Sequence, residues 1–133
     1  MRNALLQTAN TATTAIAAST TGTTIPTGSP IRRRGWQINS DGNTVMLYST
    51  GYYVVDVGVT IAPTTAVSTN VQLYFNGVAI PGATASTPAS IANCTLSIPT
   101  TVRVCDCSAA VLMIKATGGE ATVTNVSVRV VAE

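Results

Sequence analysis

The sequence contains no histidine, which removes the commonest general base and the commonest metal ligand. Carboxylates are almost as scarce: Asp41, Asp56, Asp106, Glu120 and Glu133 are the full set. Glycoside hydrolysis needs two carboxyl groups facing each other across a cleft. Here Asp41 (Ser-Asp-Gly) and Glu120 (Gly-Gly-Glu) sit in turn contexts, where carboxylates are commonly solvated, and Glu133 is the last residue. No phosphate-cradling loop and no dinucleotide fingerprint is present. The reading is of a protein that is not an enzyme, with no catalytic residue, no cofactor and no metal.

Charge of either sign is rare. Only 9% of residues are charged, against about 25% in ordinary soluble domains. A surface so poor in charge must be covered by Thr, Ser, Asn and Ala or by neighbouring subunits, and extensive subunit contact is the preferred reading. The net charge of +2 is too small for nucleic-acid binding by the whole surface. No apolar run approaches the ~18 residues of a membrane span, so no membrane partner is expected. The start of the chain, MRNALLQTANTATTAIAAS, is interrupted by Gln7, Thr8, Asn10 and Thr11 and does not read as a signal peptide. The three cysteines, Cys94, Cys105 and Cys107, are an odd count that suits free thiols made in a reducing cytosol.

What is present is β pattern. With 133 residues and 46% hydrophobic content, the chain fits one domain with a real core. Residues 1–30 are rich in Thr and Ala and read as an N-terminal arm and loop-rich lead-in, with either a short helix or an extended segment at the start. From Ile31 onward, strands alternate with Gly, Pro, Asn and Asp. In residues 51–61, Tyr53, Val55, Val57, Val59 and Ile61 share the parity expected of the core, and Tyr52, Val54, Asp56, Gly58 and Thr60 share the other. In residues 70–75, Val71, Leu73 and Phe75 face one way and Gln72 and Tyr74 the other. Asn76-Gly77 then predicts a type I′ hairpin turn into Val78–Ile80, because both residues tolerate positive φ. Further strands are expected over 31–38, 44–49, 91–98, 101–105, 109–117 and 121–131, roughly eight in all. Thr117–Glu120 reads as a turn. Leu112, Ile114, Val126 and Val128 join the expected core. Val123 has the wrong parity for the last strand, which predicts a bulge near Thr124-Asn125.

Four features invite functional readings. Cys105-Asp106-Cys107, with Cys94 as a third ligand, resembles a soft-metal site, but tetrahedral zinc wants a fourth ligand. Cys94 alternates with Leu96 and Ile98 and reads as a small core residue. Arg32-Arg33-Arg34 suits phosphate or a partner's carboxylate. In a strand Arg33 points away from the other two, so a solvated or intersubunit edge is the simpler reading. Trp36, the one tryptophan, is expected to pack in the core beside Ile38 rather than to offer a stacking platform. Asp56 sits in mid-strand on a face shared with Tyr52 and Val54, which points to an outer face covered by another subunit.

The segments GYYVVDVGVTI and VQLYFNGVAIPGA resemble the tumour-necrosis-factor-like and complement-globular-head jelly rolls, through Gly51, Tyr53, Val55, Val57, Leu73, Asn76 and Gly77. The run from Ala109 to Val131 suits that family's last two strands, and the resemblance covers about residues 31–133. It implies an all-β, antiparallel, two-sheet jelly-roll sandwich, TNF-like, carrying the arm of residues 1–30, and a homotrimer around a threefold axis. The whole chain is also similar to small proteins encoded beside capsid genes in bacteriophages and prophages of Gram-positive bacteria, through Asn3 to Thr14, Ile31 to Arg33, Gly51 to Tyr53, Pro99 to Cys105 and Ala121 to Val126. That resemblance implies a virion protein made in the host cytoplasm: a capsid decoration or head-associated subunit, or alternatively a receptor-binding head for a cell-surface glycan or protein. The absence of a Gly-X-Y collagen tract counts against a spore-surface filament. On these implications the subunit interface is expected at Tyr52, Val54, Asp56, Gln72 and Tyr74, with Arg103 or Arg129 as the partner of Asp56. Contact with the capsid or another virion protein is expected at Arg32, Arg33 and Arg34.

Overall fold

The computed structural model describes residues 4–105 and 110–132. Its elements are β1 (Leu5–Asn10), β2 (Thr14–Ile16), β3 (Ser19–Thr24), β4 (Ser29–Arg34), β5 (Ile38–Ser40), β6 (Val45–Leu47), β7 (Gly51–Pro63), β8 (Thr69–Phe75), β9 (Val78–Ser86), β10 (Cys94–Val104), β11 (Ala110–Gly118) and β12 (Ala121–Ala132). They form two antiparallel sheets. One runs β10-β7-β12-β1-β4, with β2 added to β12; the other runs β5-β6-β11-β8-β9, with β3 added to β11. The architecture is the jelly-roll sandwich expected, without a helix among the described residues.

The alternation in β7 determines its role. Tyr53, Val55, Val57, Val59 and Ile61 are all buried, while every second residue between them is half-buried or exposed. The Tyr53 hydroxyl donates to the Ser49 carbonyl at 2.7 Å, so the largest core side chain leaves no orphaned polar atom. Leu73, Leu112 and Ile114 face β7 from the other sheet, and Val126 and Val128 flank it on β12, closing the core. Phe75, expected inside with them, is only partly buried and packs at the core's margin.

The hairpin turn and the bulge fall where the sequence puts them. Asn76 and Gly77 have φ of 51° and 81°, as a type I′ turn requires, and Phe75 pairs with Val78 across it. Asn76 also ties the turn to β11, its Oδ1 accepting the Val111 N–H at 2.9 Å. In β12 the register with β7 shifts between Val123 and Asn125. Both Val123 and Val126 are therefore buried despite their odd spacing.

Three expectations give way. Residues 1–30 do not stand off as an arm: β1 lies inside the first sheet, between β12 and β4, and Leu6, Thr8, Ile16 and Ile25 are buried. The strand expected over 31–38 is two strands, β4 and β5, which belong to different sheets. The strands expected over 91–98 and 101–105 are one, β10, continuous through Pro99. Proline is tolerated because β10 is an edge strand paired only with β7, and the missing N–H can face away from the ladder.

Candidate functional site

The outward side chains of the β10-β7-β12-β1-β4 sheet line up in rows set by the strand register. One row reads Thr101, Val54, Val131, Leu5 and Arg34. Its centre is aliphatic: Val54, Val131 and Leu5 lie side by side, each half-buried on the free surface of the chain. The next row reads Pro99, Asp56, Arg129, Gln7 and Arg32. Tyr52, 51% exposed, stands beyond the aliphatic row, and the Arg103 guanidinium lies 5.6 Å from the centre of its ring, within the range of a cation–π contact.

Asp56 finds Arg129 rather than Arg103. Their closest atoms are 3.9 Å apart and both side chains are more than half exposed, so in the isolated chain the pair contributes little. Arg103 is paired in register with Tyr52, four residues from Asp56 along β7, and is occupied there.

The five residues expected to form one interface face do not do so. Tyr52, Val54 and Asp56 are on β7 in the first sheet, and Gln72 and Tyr74 are on β8 in the second. Both sets point outward, on opposite sides of the sandwich. Gln72 and Tyr74 are also engaged within the chain. The Gln72 side-chain amide donates to the carbonyls of Leu73, Ile80 and Ala83 at 2.9, 2.7 and 3.2 Å, bridging the irregularity in β9 around Pro81-Gly82. Lys115 lies over the Tyr74 ring, 4.9 Å from its centre.

The aliphatic row includes two residues that sequence reasoning missed. Leu5 was placed in an arm, and Val131 was not separated from its buried neighbours Val128 and Val130. The parity of Val131, opposite to that of Val126, Val128 and Val130, was the available signal.

On the same sheet's far edge, β4 is exposed along its whole length. The register places Arg32 and Arg34 on the outer face beside Gln7 and Leu5, and Arg33 on the inner side beside Leu6. At an edge that inner side opens to solvent, and Arg33 Nε donates to the Ile38 carbonyl at 2.9 Å. Trp36 does not pack in the core: it is 65% exposed. The reason is the turn that carries it. Gly35 has φ of 88°, and a side chain there would run into Gln37 and Ala4. This reversal sends β5 into the other sheet, burying Ile38 and leaving Trp36 at the outside of the bend.

Cys94 packs half-buried against the core, and Cys105 is exposed just beyond β10. Asp106 and Cys107 lie outside the described residues. Among the described residues no group of three His, Cys, Asp or Glu side chains is placed to hold a metal ion.

No family model matches the chain, and no curated protein does. Solved structures do match. Murine APRIL, in a crystal structure at pH 8.0, aligns with a TM-score of 0.74 at 15% identity, covering 99% of this chain and 100% of that one. The globular domain of zebrafish complement 1qA aligns with a TM-score of 0.68 at 8% identity, covering 95% and 94%. The PRD1 vertex protein P5 aligns with a TM-score of 0.62 at 14% identity, covering 99% and 98%. The fold of this chain, over nearly its whole length, is the tumour-necrosis-factor and complement-globular-head jelly roll.

Proposed function

We propose that the protein is a non-enzymatic structural subunit of a virion that assembles as a homotrimer, in the role of a capsid decoration or head-associated protein. The observation that carries the self-association is the half-buried aliphatic row Leu5–Val131–Val54 on the outer face of a sheet, in a chain with 9% charged residues. A contiguous apolar row of this kind is what a subunit interface buries.

Closing a ring of three requires a second, different surface on each chain. The open side of the sandwich, where edge strands β9 and β10 run side by side, offers one. A groove of about 270 Å³ there is lined by Phe75, Val78, Ile80 and Val102, with Arg103 at its rim. In the trimer this edge packs on the outer face of the next chain's β7 sheet, covering Val54 and Tyr52. Asp56 and Arg129 then lie at the border of the contact, where exclusion of water strengthens their pairing.

The virion assignment draws on the sequence resemblance to small proteins encoded beside phage capsid genes and on the likeness in fold to the PRD1 vertex protein P5. Exposed Trp36 favours a second reading, a receptor-binding head for a host glycan or protein, because such a head needs an aromatic platform. Electron cryo-microscopy of the purified particle separates the two. The first reading predicts density for the protein on the capsid shell. Density only at the tip of a fibre, together with binding on a glycan array, would replace it by the second.

A further inference from the structure

We infer that the edge strand β4 and the turn that follows it form a docking surface for an acidic segment of a partner protein, carried by Arg32, Arg33, Ile31 and Trp36. This deepens the docking part of the proposed function and is independent of the threefold packing, which uses other residues.

The surface is unusual for this molecule. Three of its seven basic residues and two large exposed hydrophobics, Ile31 at 58% and Trp36 at 65%, fall within six consecutive positions. Tryptophan and arginine are the residues that dominate interface energetics. Ile31 is thrown outward by a register shift between β4 and β1: Arg32 pairs with Gln7 and Pro30 with Thr8, leaving Ile31 without a cross-strand partner. The Trp36 turn is anchored at both sides, by Arg33 Nε on the Ile38 carbonyl and by the Tyr48 N–H on the Gln37 carbonyl at 2.8 Å. Trp36 is thus held outward on a fixed support, which lowers the ordering cost of binding.

Charge selects the occupant. Arg32 has no side-chain hydrogen bond or ion pair among the described residues, and Arg33 uses one of its five N–H donors internally. Both guanidiniums therefore have donors to offer carboxylates, Arg32 from the outer face of β4 and Arg33 from its inner side, so the bound segment straddles the open edge. A second copy of this chain cannot supply them. Its five carboxylates are scattered singly through the sequence, and pairing β4 with β4 would bring arginines together. Ordinary strand addition is also resisted, by Pro30 and by the register shift at Ile31. Recognition is therefore by side chains: carboxylates on Arg32 and Arg33, an aliphatic residue against Ile31 and Trp36. A nucleic-acid backbone would match the arginines but has no use for the isoleucine, and the basic stretch is too short to track a strand of phosphates.

Because Trp36 is the sole tryptophan, its fluorescence reports on the surface directly. The full chain is titrated with a short synthetic peptide of alternating glutamate and valine, and with its lysine–valine counterpart. The glutamate peptide is expected to move the emission to the blue saturably, with an effect that weakens as salt is added; the lysine peptide is expected to leave it unchanged. Arg32→Glu is expected to weaken binding by about tenfold or more. Its side chain supports nothing else in the fold, so it leaves the sedimentation behaviour unchanged. Arg33→Glu is the second variant, with circular dichroism to check the turn. An equal response to both peptides, no response to either, or a blue shift produced only by an oligonucleotide or only by phosphatidylglycerol vesicles would overturn the inference.

Discussion

The two outer faces of the sandwich are built from strands with the same alternation, yet they end in opposite conditions. On the β8 side, outward groups are satisfied within the chain: Gln72 bonds three carbonyls. Asn70 Oδ1 accepts from Thr84 and Ser86 at 2.7 and 2.8 Å, and Lys115 covers Tyr74. On the β7 side the outward groups are left waiting. Val54, Val131 and Leu5 have no covering layer, and Asp56 reaches Arg129 only at 3.9 Å. The lesson is that half-apolar outward residues do not by themselves mark an interface. The β8 face has apolar neighbours of its own, Met46 beside Val111 and Met113 beside Tyr74. What distinguishes the β7 face is that its aliphatic row, assembled from three strands distant in sequence, is bordered by polar groups that are not yet fully paired.

The comparison can be broken at several points. The largest effect is expected from Val57→Asp, on the inward side of β7. It places a carboxylate at a buried position with no partner and should cost more than ~3 kcal/mol; denaturant unfolding measures it. An unchanged midpoint would mean that the two sides of β7 have been exchanged. Next comes the contrast between the faces themselves. Val54→Arg is expected to drive the assembled species toward single chains, whereas Tyr74→Arg leaves its mass unchanged. Equal disruption by both would erase the distinction between the faces.

A smaller effect is expected from Gln72→Ala, which removes the two side-chain N–H donors shared among three carbonyls around the β9 irregularity. A loss of about 1–2 kcal/mol in unfolding free energy is expected, with no change in assembly. The smallest is Arg129→Met. In the isolated chain, such as the Val54→Arg background, it should alter stability by less than ~0.5 kcal/mol, because an exposed ion pair is screened by water. In the assembled protein it should matter more, and the gap between the two measurements reports how far water is excluded around Asp56.

Much of the fold was legible from periodicity. The inward set of β7, the type I′ turn at Asn76-Gly77 and the bulge at Thr124 each follow from local rules that tertiary context did not override. What escaped were features decided by neighbours. β1 hides because Thr8 occupies an inward position and breaks the apolar alternation, although it is fully buried. β10 was divided at Pro99 because nothing local says that the strand lies at an edge. Trp36 was placed inside because tryptophan usually is, whereas the Gly35 turn sends the chain between sheets and leaves it out. The site shared this limit. Parity identified Tyr52, Val54 and Asp56 as outward, but parity does not say which sheet a strand joins, so Gln72 and Tyr74 were grouped with them. Leu5 was missed for the same reason as β1.

The central claim is that the aliphatic row Val54–Val131–Leu5 on the outer face of the β7 sheet is covered by another copy of the chain. Sedimentation equilibrium of the wild-type protein at micromolar concentration tests it most directly. The account predicts a single species of three times the 13.6 kDa chain mass. A species of one chain mass, stable and soluble at that concentration, would contradict it.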